Sequence, residues 1–423
     1  MSAVVHDETR RTQKQRQLGL DGWVWVLVIA TVPIQQLLYV LVSNEVRLLP
    51  IAAALMSLLL GRLALPRMQG ILVGASALII IGGLASGSNS SAGASVTVAI
   101  TMAAFITLVP PAILFQMRRY PNFLRVALAC ALTVQTASAA AGIVQMTGQS
   151  VFGVIAREGR VNGLAYHPNV LGVMSVLAVL VLLELLRRRA APRWILLASL
   201  LVNASALAAT ASLSSLLTLL VGLAFYAMRV ATRYRVAAIV LLALGLVIAL
   251  VATGGNLATL LPDALSDRVD QVTGVTDDGT ASWLVRVETY KWSWDYITSD
   301  PLVGVGMDAM NQGTLTPSLV VHNFLLRGWY QGGVFVLIGF GLLVVVMVVQ
   351  AFSGFRHTDY ISPSAVIVSM LAFAMTSAFY TQSHYWLPVL IAFAFISEQL
   401  RGRIHSPDEK LRRSPQAAQT TRG

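Results

Sequence analysis

Residues 332–351 read GGVFVLIGFGLLVVVMVVQA, twenty residues without a charge. A helix of that length rises about 30 Å, which is the thickness of a bilayer's hydrocarbon core. In lipid, backbone N–H and C=O groups have no water to bond, so a lone apolar run of this kind is stable there only as a helix. Windows of similar length and hydropathy recur along almost the whole chain.

Composition agrees with that reading. The chain has 423 residues, of which 56% are hydrophobic and 12% charged, whereas soluble domains carry about 25% charged residues. The expected fold is an all-α integral membrane protein of about twelve transmembrane helices. Their approximate limits are 22–43, 48–66, 70–87, 95–117, 123–146, 168–186, 192–209, 212–228, 236–252, 323–351, 361–380 and 385–400. This divides the chain into a basic N-terminus (1–21), nine spans (22–252), a large external loop (253–322), three spans (323–400) and a tail (401–423). The tail is rich in Ser, Pro, Gln and basic residues and reads as disordered. The first apolar stretch is too long for a signal-peptide core and reads as a retained anchor.

The basic residues choose the orientation. Of 30 Lys and Arg, 23 fall in segments that alternating spans put on one side, among them Arg62, Arg118, Arg125, Arg187 to Arg189, Arg229 and Arg356. The positive-inside tendency places that side, with both termini, in the cytoplasm. Arg47, Arg157, Arg160, Arg268, Arg286, Lys291 and Arg327 remain outside. The net charge of +11 calls for no nucleic acid, since cytoplasmic loops facing anionic lipid account for it. Cys130 is the only cysteine, which excludes an internal disulfide and a thiolate zinc site.

Two outer loops interrupt the short connections. The first, about 147–167, is polar and glycine-rich and contains Arg157, Arg160, Asn162, Gly163 and His167. The second, about 253–322, holds nine of the nineteen acidic residues. Within it Trp283, Val287, Tyr290, Trp294 and Ile297 recur at helical spacing, which predicts an interfacial helix with an apolar stripe. Arg286, Thr289 and Ser293 share another face, expected to look into a polar cavity. Asp300-Pro301 should end this helix, because proline disfavours a helical residue before it.

Cations kept outside against the orientation rule are the candidates for chemistry. A guanidinium is a planar fork of donors that stays charged and matches phosphate oxygens two at a time. Arg160 and Arg286, on separate loops, could clamp one anion from two sides, with Arg157 beside them. The plainer reading is that each meets lipid headgroups or a loop carboxylate such as Glu158 or Asp295. His322, at the outer mouth of span ten, has a reference pKa of about 6.5 that suits a general base, and nearby arginines would keep its imidazole neutral. Asp277-Asp278-Gly279-Thr280 reads as a turn and cap, and no metal site is expected.

Three motifs carry a resemblance. Arg160-Val-Asn-Gly163 followed by His167-Pro168-Asn169 resembles the R-x-x-G…P-N signature of the O-antigen ligase and polymerase superfamily. Arg286, Trp292, Pro301 and Gly304-Val305-Gly306 are similar to the R…W…P…G-x-G segment of its large external loop. His322-Asn323-Phe324 with Gly332-Gly333 resembles the H-N motif that closes that loop. The resemblance covers about 95–395. It implies a GT-C-like helical bundle with the large loop between spans nine and ten, and metal-independent transfer of a glycan from a polyprenyl diphosphate carrier to a glycan or lipid acceptor. Asn169, His167 and Asn323 would support the site. Two departures stand out: Ser212-Leu-Ser214-Ser215 occupies the place of a Ser-Arg pair, and Gln331 that of an acidic residue.

On this reading the arginines stabilise the diphosphate leaving group and His322 takes the acceptor proton, so that the anomeric centre inverts in one displacement. No cofactor is implied. The partners are the lipid-linked donor, the acceptor, membrane lipids and other polysaccharide-assembly proteins, at a bacterial plasma membrane. The rival is a twelve-span transporter or flippase, which would carry ionisable residues at midplane and internal repeats; neither is evident. A structural partner of an assembly complex is the third reading.

Overall fold

The computed structural model describes residues 17–156, 159–165, 167–230, 282–308, 321–377 and 382–404. The expected ninth span, Arg157, Arg268, the Asp277 to Thr280 turn, the basic N-terminus and most of the tail lie outside the described residues.

The described residues are helical. In chain order the helices are α1 (Leu20–Ala30), α2 (Gln35–Leu41), α3 (Leu49–Leu59), α4 (Gln69–Ser86), α5 (Ala92–Arg119), α6 (Phe123–Gln145), α7 (Pro168–Arg188), α8 (Arg193–Ala209), α9 (Leu213–Ala227), α10 (Ser282–Ser299), α11 (Phe324–His357), α12 (Ser362–Ala374) and α13 (Ser383–Ile404). Five stretches are long and apolar enough to cross a membrane: Gln69–Asn89, Ala92–Arg119, Phe123–Gln145, Pro168–Arg188 and Phe324–His357. The expected first span is divided between α1 and α2 by a 3-10 turn at Val32–Ile34, where Pro33 cannot donate to the helical ladder. The expected eleventh span is a shorter helix, α12, followed by a turn at Met375 and Thr376.

Prolines inside spans are answered by neighbours. Pro111 lacks the N–H that would bond Thr107 four residues back, and the Thr107 carbonyl instead accepts from Gln69 Nε2 at 2.8 Å. Between helices, buried amides act as glue: Gln135 Nε2 on α6 donates to Ser175 Oγ on α7 (3.1 Å) and to Asn203 Oδ1 on α8 (3.0 Å).

Ion pairs and hydrogen bonds mark two ends of the bundle. At one end Arg62 pairs with Asp21 (3.1 Å), Arg118 with Glu398 (2.7 Å), and Arg187 and Arg188 with Glu184. At the other, Asn89 Nδ2 donates to the Gly304 carbonyl (3.1 Å) and Ser214 Oγ to the Thr376 carbonyl (3.3 Å). The expected one-sided basic clusters that are described thus gather at the first end, and the described candidate residues at the second.

Candidate active site

The first of the two polar loops is bolted to the end of α6 by one side chain. Gln145 is 1% exposed; its Oε1 accepts from the backbone N–H of Asn162 (3.0 Å) and of Gly163 (2.9 Å), and its Nε2 donates to the carbonyls of Val154 and Gly163 (both 3.1 Å). Ser138 Oγ accepts from Leu164 N at 3.0 Å. Gly163 has a φ of +54°, and a Cβ there would lie 2.4 Å from the Ser138 carbonyl oxygen, so only glycine fits. The R-x-x-G spacing is therefore a loop pressed against a helix.

Arg160 rides on that loop. Its Nε donates to the Thr210 carbonyl (2.8 Å) and its Nη2 to Asn169 Oδ1 (2.9 Å). Asn169 lies in the first turn of α7, which His167 caps by accepting from Asn169 N at 3.2 Å through Nδ1. Thr210 precedes Ala211, held at a φ of +47°, and Ser212, the N-cap of α9. The guanidinium of Arg160 thus reaches the turn in which the resemblance leads one to expect a Ser-Arg pair.

The second loop enters through α10. Tyr290 Oη donates to the His322 carbonyl at 2.8 Å, and Arg286 stands one helical turn before Tyr290. Burial raises the Tyr290 pKa above its usual value, while the positive charge of Arg286 opposes part of that shift. The expected stripe needs correction. Trp294 is 52% exposed and meets Trp329 edge to face, whereas Thr289 and Ser293, expected to line a polar cavity, are buried. Their hydroxyls donate to the carbonyls of Arg286 and Thr289 in their own helix, which lets polar side chains lie against the bundle beside Ile297.

After α10 the G-x-G segment straps a broken helix. Gly333 interrupts α11 with a φ of +70°. The groups freed there bond the strap: Val334 N donates to Leu302 O, Val305 N to Tyr330 O and Gly306 N to Gln331 O, at 2.9 to 3.3 Å. A Cβ on Gly304 would lie 2.3 Å from the Gln331 backbone. Gln331, in place of an acid, accepts from buried Arg327 Nε (2.9 Å) and donates to the Asp308 carbonyl (3.1 Å).

A chain of hydrogen bonds joins both loops. The Asn169 carbonyl accepts from Ser215 Oγ (3.5 Å), and neighbouring Ser214 donates to Thr376 O. The carbonyl of Met375 accepts from Asn323 Nδ2 (3.5 Å), and Asn323, which follows His322, caps α11 by accepting from Leu326 N (3.0 Å). The N-termini of α7, α9 and α11 are therefore linked in series, through Ser214-Ser215 and the turn at Met375-Thr376, with Arg160, His167 and Asn169 at the α7 end of the series and His322 and Asn323 at the α11 end. Each N-terminus carries partial positive charge and favours an anion. Gln145, Thr210 and Tyr290 were not singled out as site residues by sequence; a glutamine near the end of an apolar span was the available signal, since such a group is costly in lipid unless bonded.

Among the described residues no group of three or more His, Cys, Asp or Glu is placed to hold a metal ion. No curated protein matches the chain. Residues 196–341 match the family model described as O-Antigen ligase (Wzy_C), a segment that contains Arg286, Gly304, His322 and Asn323. Over that segment the chain is similar to the O-antigen ligase family.

Proposed function

We propose that the protein is a membrane glycosyltransferase that moves a glycan from a polyprenyl (undecaprenyl) diphosphate carrier to a sugar hydroxyl of a glycan or lipid acceptor. The observation that carries this reading is the series of hydrogen bonds and adjacent residues that links Arg160 and Asn169, through the start of α9 and the turn after α12, to Asn323 beside His322. The family match, whose name refers to ligation of a surface polysaccharide, supports the same class of reaction.

In this mechanism the diphosphate sits between Arg160 and Arg286, with Arg157 as a further cation. Charge develops on the leaving oxygen as the anomeric bond breaks, and the guanidinium forks stabilise it. The acceptor hydroxyl attacks the anomeric carbon from the opposite face and gives its proton to the His322 imidazole, so one displacement inverts the centre without a metal. Arg160, fixed against Thr210, supplies a cation to the turn that lacks the Ser-Arg pair. The basic end of the bundle faces the cytoplasm by the positive-inside tendency, which puts the site on the outer face of a bacterial plasma membrane.

The test is surface-polysaccharide chain length in a deletion strain complemented with wild type, Arg286→Ala or His322→Ala at matched membrane levels. Loss of either role should slow transfer by roughly 10²- to 10⁴-fold. Lipid-linked repeat units left unextended by both variants would mark a polymerase, to which the missing Ser-Arg pair inclines the reading. Polymer that forms but stays on its carrier would mark a ligase. Wild-type behaviour of both variants would overturn the assignment and bring transport forward.

A further inference from the structure

A cavity of about 810 Å³ lies away from the candidate active site, between α1, α6, α7, α12 and α13. Along α7 it runs from Met174 to Arg188, about 20 Å at the helical rise. That is the reach of an extended hydrocarbon chain from a membrane surface past mid-bilayer. Its walls are apolar, with Leu128, Leu177, Val181, Ile391 and Phe395 among them.

Polar residues are placed unevenly along it. Arg125, Glu184, Arg188, Tyr360 and Gln399 line the end that carries the ion pairs, while Gln135 lies deeper with its amide nitrogen bonded to Ser175 and Asn203. Glu184 is bonded by both Arg187 and Arg188, and of the charged residues at the mouth two, Arg188 and exposed Arg125, are cations against the one carboxylate. Arg188 is also fixed in place, 3.5 Å from the centre of the Tyr360 ring and bonded to the Asp359 carbonyl. An apolar slot with a net positive mouth is complementary to an amphiphile with an anionic head.

We propose that this groove is a binding site for one anionic glycerophospholipid of the leaflet at the basic end. Its phosphate lies between Arg125 and the Arg188–Tyr360 corner, and one acyl chain fills the slot. The cations stand at the end remote from Arg160, so the tail points toward the candidate site. The lipid would fill a gap between helices that carry Asn169 and the loop anchor Gln145 at their far ends.

The test uses the full chain, purified in neutral detergent and stripped of lipid, with dioleoylphosphatidylglycerol and dioleoylphosphatidylcholine as probes. Native mass spectrometry should show one phosphatidylglycerol retained per chain, with a saturable rise in Tm and no comparable effect of phosphatidylcholine. Arg125→Ala should weaken retention about fivefold, the contribution of one basic residue near an anionic headgroup. Ala131→Phe, which narrows the slot, should abolish retention. Because Arg125 is exposed, its alanine variant should unfold like wild type when lipid-free, which separates binding from folding. Equal retention of the two lipids, or no effect of Arg125→Ala, would overturn the proposal. So would displacement of phosphatidylglycerol by undecaprenyl phosphate, which would make the groove a seat for the carrier's tail. Arg286→Ala should retain the phospholipid unchanged, so this inference and the transfer reading can fail separately.

Discussion

The phenol of Tyr290 donates a 2.8 Å hydrogen bond to the backbone carbonyl of His322. It ties the helix that carries Arg286 to the residue proposed as the base, although Tyr290 and His322 are 32 residues apart in sequence. Tyr290→Phe removes that single bond and leaves the ring packing intact. Transfer should fall about twofold to tenfold, the worth of one neutral hydrogen bond spent on positioning, with membrane levels unchanged. A wild-type rate in the phenylalanine variant would mean the bond does not position His322.

The same phenol sets a pH expectation. Its folded-state pKa is raised by burial, against the opposing charge of Arg286. A raised pKa means the folded protein binds that proton more tightly than the unfolded chain does. The contribution is therefore complete below the ordinary tyrosine value and is lost only as pH rises through the raised one. Tyr290→Phe should accordingly leave the shape of the rate–pH profile between pH 5 and about 9 unchanged, while His322→Ala should remove its acid limb. Steady-state transfer with a lipid-linked donor across that range checks both.

Gln145 is the anchor of the first loop, with four bonds to its backbone. Gln145→Leu keeps the volume but strands buried donors and acceptors, at about 1–3 kcal/mol for each group left unbonded. Hydrogen exchange at residues 151–165 should rise and transfer should fall, while exchange in α4 and α11 stays as in wild type. Unchanged protection of the loop would show that other contacts hold it.

Gly304→Ala tests the strap. The added methyl would lie 2.3 Å from the Gln331 backbone, so the strap or the break in α11 must shift. Overpacking of this kind costs about 1–3 kcal/mol. The expected outcome is a lower Tm together with lost transfer. Neighbouring Val305, half-buried, should tolerate Val305→Ile far better.

Orientation can be read chemically. With Cys130 replaced by serine, Ser88→Cys at the strap end should react with a membrane-impermeant maleimide in intact cells. Ala190→Cys at the ion-paired end should react only after the membrane is opened. Both positions are exposed. The reverse pattern would invert the proposed topology.

Hydropathy and charge spacing alone were enough to find helices where described residues allow comparison, from Gln69–Ser86 through Ser383–Ile404, because a lipid environment leaves the backbone little choice but to bond within each segment. The motifs also marked loop positions correctly: Gly163 and Gly304 are glycines because backbone approaches them too closely for a Cβ. Helical period could not tell which face of α10 turns inward, since Thr289 and Ser293 satisfy their hydroxyls within the helix and can be buried like apolar residues.

Sequence by itself thus determined the class of protein, the placement of most helices and the residues worth testing. Only the tertiary structure decided that Arg160 reaches Thr210 and Asn169, that Ser214 and Asn323 join α9 and α11 to the turn after α12, and that the helix N-termini are linked in series. The reason is physical. Insertion into lipid depends on local composition, which is written along the chain, whereas a polar site is assembled from hydrogen bonds between residues far apart in sequence, and their pairing is fixed only when the helices pack.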